Sequence, residues 1–134
     1  KLVVPHMKKV GGGNIVFNAS YAGYKIPTAG IAAYAVTKTA VLGLTKALAG
    51  SLAKDNIRVN GIAPGVIKTK MSGALWDSGD KSGEENLVQS SEILLGRLGV
   101  PEECAGVVAF LASSDASYIT GETILIAGGV HARL

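Results

Sequence analysis

Three short β-branched runs constrain this chain more than any other feature: NIVFN at 14–18, IRVNGIA at 57–63 and TILIA at 123–127. Apolar runs of this length, bounded by glycine and turn residues, read as buried strands. A helical stretch from about residue 32 to 54 separates the first two, with Val41, Leu44, Leu48 and Leu52 spaced as a core stripe. A polar stretch, 71–91, and the segment PEECAGVVAFLAS separate the last two. Pro101 followed by Glu102 and Glu103 marks the start of a helix there. Strand, helix, strand, helix, strand predicts right-handed crossovers in a parallel sheet, an α/β fold. Residues 1–10 read as the last turns of a helix stopped by Gly11, Gly12 and Gly13, so the chain is expected to begin inside an element.

Composition narrows the function. At 134 residues, 48% of them hydrophobic, the chain has the material for one core and no more. Thirteen basic and ten acidic residues are scattered without a block that would track a phosphate backbone, which argues against nucleic acid as a partner. Cys104 is the only cysteine, and His6 and His131 lie near opposite ends, so neither a disulfide within the chain nor a metal site is expected. No apolar run approaches the roughly eighteen residues of a membrane span, and residues 1–20 lack the order of regions of a signal peptide.

Ligands of parallel sheets bind beyond the carboxyl ends of the strands. That rule gathers Ser20, the loop PGVIKT at 64–69, and the residues after Ile126. Tyr34 and Lys38 lie one turn apart in IAAYAVTKTAVLGLTKALAG, on one face of the helix that follows the first strand. A tyrosine hydroxyl titrates near about 10, and a neighbouring ammonium favours its phenolate, bringing it closer to acid–base work at neutral pH. Ser20 can hydrogen-bond the same substrate oxygen. Each feature alone has a plainer explanation: a packed ring, a solvated lysine, a serine in a turn, a proline and glycine between strand and helix.

The combination is more specific than its parts. Ser20, then Tyr34 and Lys38 as Y-x-x-x-K, then RVNGIAPGVIKTKM and SYITGETILIAGG, come in an order that resembles the short-chain dehydrogenase/reductase family. The resemblance covers essentially the whole chain and matches that family's C-terminal half. NIRVNGIAPGVIKT, LGRLGVPEECAG and DASYITGET are most similar to its peroxisomal member 4 branch of NADP-dependent carbonyl and retinal reductases. The pattern departs where Ala19 and Ser20 stand in place of the family's usual two serines.

The resemblance implies the C-terminal half of a Rossmann-like, doubly wound parallel sheet with helices on both faces. Residues 1–134 would form one partial domain. The glycine-rich phosphate turn, the residue that selects NAD or NADP, and a catalytic asparagine would belong upstream of Lys1. Tyr34 would exchange the proton with a carbonyl or alcohol substrate, Lys38 would hold the nicotinamide ribose and favour the phenolate, and Ser20 would orient the substrate oxygen. Pro64, Gly65, Ile67 and Thr69 would flank the carboxamide and pyrophosphate of NADP, with NAD left open. The small residues of the 32–54 helix would pack against a second copy in a homodimer or homotetramer, or else simply fit the sheet.

Two further stretches carry expectations. Residues 71–95, with Met71, Leu75 and Trp76 among polar neighbours, read either as a lid over an apolar substrate or as a surface loop anchored by its tryptophan. Ala132, Arg133 and Leu134 match the small-basic-leucine form of a peroxisomal address, with cytosolic residence the alternative. Without a neighbour for its first strand, the 134-residue piece is expected neither to fold stably nor to turn over substrate alone. Two other readings stand beside the oxidoreductase: an inactive truncated product that associates with complete subunits, and a lipid or retinoid binding module that needs no nicotinamide.

Overall fold

The computed structural model describes residues 2–25, 30–77, 79 and 82–130. Helix α1, Val4–Lys9, has Pro5 in its first turn and unwinds into Gly11 and Gly12, both at positive φ. At Gly12 this freedom is required, because a Cβ would run into the carbonyl of Asn56. Asn56, itself left-handed at φ 55°, donates from Nδ2 to Gly11 O at 2.9 Å and accepts from Gly13 N at 3.0 Å. The turns entering the first two strands are thereby fixed to each other.

The strands are β1, Gly13–Asn18; β2, Ile57–Pro64; and β3, Thr123–Ile126. They form one parallel sheet in the order β1-β2-β3, with Gly13 opposite Ile57 and Gly61 opposite Thr123. Helix α2, Ala32–Leu52, makes the first crossover. Helices α3, Gly73–Trp76, α4, Ser82–Ser90, and α5, Pro101–Ala112, lie in the second. The three predicted strands each land within one residue of the observed bounds.

The period of two along a strand divides the core. Ile57 and Val59 of β2 pack with Ala49 and Leu52 of α2, joined by Ile15, Phe17 and the α1 residues Val4 and Met7. Ile62 and Val16 point the other way, onto Leu111, Val107 and Val108 of α5. Helices thus cover both faces, as the resemblance implied. Arg58 reaches the end of α5, donating to Leu111 O at 2.9 Å and Ser113 O at 3.0 Å, a cation placed where the helix dipole favours one.

The predicted stripe of α2 needs correction. The buried residues are Ala35, Thr45, Ala49 and Leu52, whereas Leu44 is 44% exposed and Val41 and Leu48 are only half-buried. Small side chains let this helix approach the sheet closely, and Thr45 satisfies its hydroxyl on Val41 O at 2.8 Å. Leu52 of the predicted stripe is buried and Leu48 packs against the same cluster, so the expectation fails at Leu44 and misses the small residues Ala35, Thr45 and Ala49. The helix also ends at Leu52, passing into a 3₁₀ turn at Ala53–Asp55 rather than continuing to 54. Among the described residues no helix is long and apolar enough to cross a membrane.

Candidate active site

Parallel pairing brings the carboxyl ends of all three strands to one edge of the sheet. Ala19 N extends the β1–β2 ladder by donating to Ile62 O at 2.8 Å, so Ser20 comes level with the end of β2. Ser20 is buried and caps the 3₁₀ turn Tyr21–Gly23, its Oγ accepting from Ala22 N at 3.1 Å.

That turn sits directly on α2. A Cβ on Gly23 would stand 3.0 Å from the backbone C and O of Lys38, and Thr39 Oγ1 donates to Gly23 O at 3.0 Å. The turn carrying Ser20 and the helix turn carrying Lys38 are consequently packed backbone to backbone.

Lys38 completes the link. Its Nζ donates to Asn18 O, the last residue of β1, at 2.9 Å and lies 5.6 Å from the centre of the Tyr34 ring. Tyr34 is 43% exposed, its ring turned to solvent from the first turn of α2. The structure therefore brings Ser20, Tyr34 and Lys38 to the carboxyl edge, with Lys38 as the side chain that ties α2 to β1. The Asn18 carbonyl as its anchor was not legible in the sequence, since a backbone acceptor leaves no mark in residue identity.

The 64–69 loop leaves the same edge from β2. Gly65 N donates to Ile126 O at 2.8 Å, and Ile67 bridges Gly99 through Lys68 N on Gly99 O at 2.8 Å. Gly65 has no room for a Cβ, which would meet Ala127 at 3.0 Å. Pro64 and Gly65 thus make the turn that the plainer reading required, while Ile67 and Thr69 carry the loop onward. Its far end is gathered by Ser72, whose Oγ donates to Ile67 O and accepts from Thr69 N and Trp76 Nε1, each at 3.1 Å.

Helices α3 and α4 cover this edge. Trp76, Leu87 and Val88 pack against a cluster of Ile93, Leu98 and Val130 that also takes in Tyr21, Val66 and Ala127, residues just beyond β1, β2 and β3. Trp76 is anchored in that cluster, although the segment expected as a surface loop forms helices α3 and α4. Burial, followed by the negative charge of Glu92, pushes the Tyr21 hydroxyl above its ordinary range. Beside the cover, an open concavity of about 740 Å³ between α4 and the 92–96 turn is lined by Glu85, Glu92 and Leu94 among others. None of Ser20, Tyr34, Lys38 or the 64–69 loop lines it. No group of three His, Cys, Asp or Glu side chains that could hold a metal occurs among the described residues. Ala132, Arg133 and Leu134 lie outside those residues, as does His131.

Many known proteins are similar to this chain in sequence and in fold. Residues 1–131 match the family described as enoyl-(acyl carrier protein) reductase. The chain is 69% identical along its whole length to dehydrogenase/reductase SDR family member 4 of Caenorhabditis elegans and 54% identical to the Homo sapiens protein of that name. It spans 51% and 46% of those two, about half the length of the curated relatives it matches. Among solved structures, 99% of the chain superposes on half of a 7α-hydroxysteroid dehydrogenase complexed with NADH and 7-oxo glycochenodeoxycholic acid, with a TM-score of 0.86 and 34% identity. ElxO with NADP bound aligns over 96% of the chain at 38% identity and a TM-score of 0.82. Agreement in sequence from residue 1 to 131, and in the course of a parallel sheet with its crossover helices, means that the chain belongs to the short-chain dehydrogenase/reductase family.

Proposed function

We propose that this chain carries the proton-transfer side of an NADP(H)-dependent oxidoreductase that interconverts carbonyl compounds, ketones and aldehydes including retinal, with alcohols. The observation that carries the reading is Lys38, anchored on Asn18 O with its ammonium 5.6 Å from the Tyr34 ring. An ammonium has three donors, and one that gives a single bond to a strand-end carbonyl fits the vicinal hydroxyls of a ribose. Pro64, Gly65, Ile67 and Thr69 would flank the carboxamide and pyrophosphate. The choice of NADP over NAD rests on resemblance to the member 4 branch.

When bound, the nicotinamide supplies hydride to the carbonyl carbon or takes it from the alcohol. In reduction the Tyr34 hydroxyl gives its proton to the substrate oxygen, and in oxidation it takes one. Lys38, anchored on Asn18 O, would hold the nicotinamide ribose beside that hydroxyl. Ser20, whose Oγ accepts from Ala22 N, would donate its own proton to the substrate oxygen. In the full-length protein, Tyr34→Phe is expected to lower kcat/KM for carbonyl reduction by about 10²- to 10⁴-fold. NADPH binding, followed by cofactor fluorescence, should persist. Turnover within about tenfold of wild type would overturn the assignment, and retained substrate binding with no need of nicotinamide would favour the binding module.

Two extensions complete the proposal. The exposed small residues of α2 form a contact face for a second copy, giving a dimer or tetramer. Ala132, Arg133 and Leu134 act as a peroxisomal address, so a tagged full-length protein lacking Leu134 should stay in the cytosol by microscopy. Undiminished import would rule the address out.

A further inference from the structure

Lys68 lies within the 64–69 loop, yet its side chain leaves that loop altogether. Its Nζ makes an ion pair with Glu84 Oε2 of α4 at 2.7 Å and stands 5.9 Å from the centre of the Trp76 ring of α3. Both partners are half-buried, so the pair is less screened than a surface one. Its backbone is equally fixed, since Lys68 N donates to Gly99 O. One residue thus holds the loop that leaves β2, the short helix α3 and the helix α4 together. Ser72 adds a second tie between loop and Trp76, but nothing in it reaches α4.

We infer that Lys68 is a positioning residue, a clasp that sets the α3–α4 cover against the 64–69 loop so that cover and loop move as one body. The inference deepens the proposed function, on which it rests for the identity of that loop. Opening the clasp frees α4 from the carboxyl edge where substrate binds, without removing a group that touches the reacting atoms. The effect therefore falls on KM for the carbonyl substrate more than on kcat.

The test uses full-length protein and two readouts. Lys68→Met keeps the aliphatic stem and removes the charge, Glu84→Gln removes the partner, and Lys68→Arg keeps a cation. Hydrogen exchange of peptides covering 73–90 is expected to quicken about three- to tenfold in the first two variants, with a rise of similar size in KM. Lys68→Arg should restore both towards wild type. Exchange over 73–90 unchanged in Lys68→Met, exchange quickened throughout the sheet, or local loosening with KM unmoved would each overturn the clasp. Should Tyr34→Phe prove fully active, the functional reading falls, while the exchange measurement still decides whether Lys68 holds the cover.

Discussion

Glu103 shows how much one exposed side chain arranges. Its Oε2 accepts from Val100 N at 2.9 Å, capping the start of α5, and its two oxygens receive Arg97 at 2.6 and 3.0 Å. The Arg97 hydrogen bonds, then that from Val100, pull its carboxyl down to about 2. A carboxylate depressed on folding adds stability that is complete above its ordinary range near 4.5 and is lost as pH falls through about 2. Glu103→Gln should therefore lower the Tm at neutral pH and flatten its decline between pH 4.5 and 2, as thermal melts in stepped buffers would report. An unchanged decline would show that the cap carries no such linkage. Glu102 and Glu103 were legible as a helix start, whereas Arg97 was not: its partnership depends on how the 92–99 turn folds back.

Among elements, the crossovers were readable because proline and glycine punctuate them, and the strands because β-branched residues cluster in them. What escaped on α2 was the share of its packed face taken by Ala35, Thr45 and Ala49, beside Leu48 and Leu52. The seat of the Ser20 turn on α2 was equally hidden, because a glycine such as Gly23 looks the same in a loop as in a close contact. Gly23→Ala places a methyl 3.0 Å from backbone atoms that cannot rotate away. It should push the Ser20 turn from Lys38 and lower kcat/KM about ten- to a hundredfold, steady-state kinetics being the check. Unaltered kinetics would mean that the turn adjusts without disturbing the site.

For the molecule as a whole, sheet order and the gathering of Ser20, Tyr34 and Lys38 were legible, because strand succession and right-handed crossovers leave few topologies open. The ties across the edge, such as Lys68 to Glu84, were not, since ion pairs between separate elements have no local signature. Ala33, Val36, Ala40, Gly43, Ala47 and Gly50 remain exposed at alternating spacings of three and four along α2. A charge there, as in Ala40→Arg, should weaken self-association of the full-length protein about a hundredfold or more, read by sedimentation at micromolar concentration. Assembly as in wild type would place the contact elsewhere.

The parallel sheet also governs how the chain reaches its native state. Asn56 meets Gly11 across 45 positions, and Val59 N reaches Thr120 Oγ1 across 61. Contacts so distant along the chain must close long loops before they repay the lost entropy, which makes such sheets slow to form. Among the described strands, β2 pairs with both others, and its pairing with β3 closes only after the whole second crossover has been made. Until α5 packs on Ile62 and β3 pairs with β2, that strand offers apolar side chains and unpaired backbone groups, and a partly folded chain at that stage is prone to aggregate.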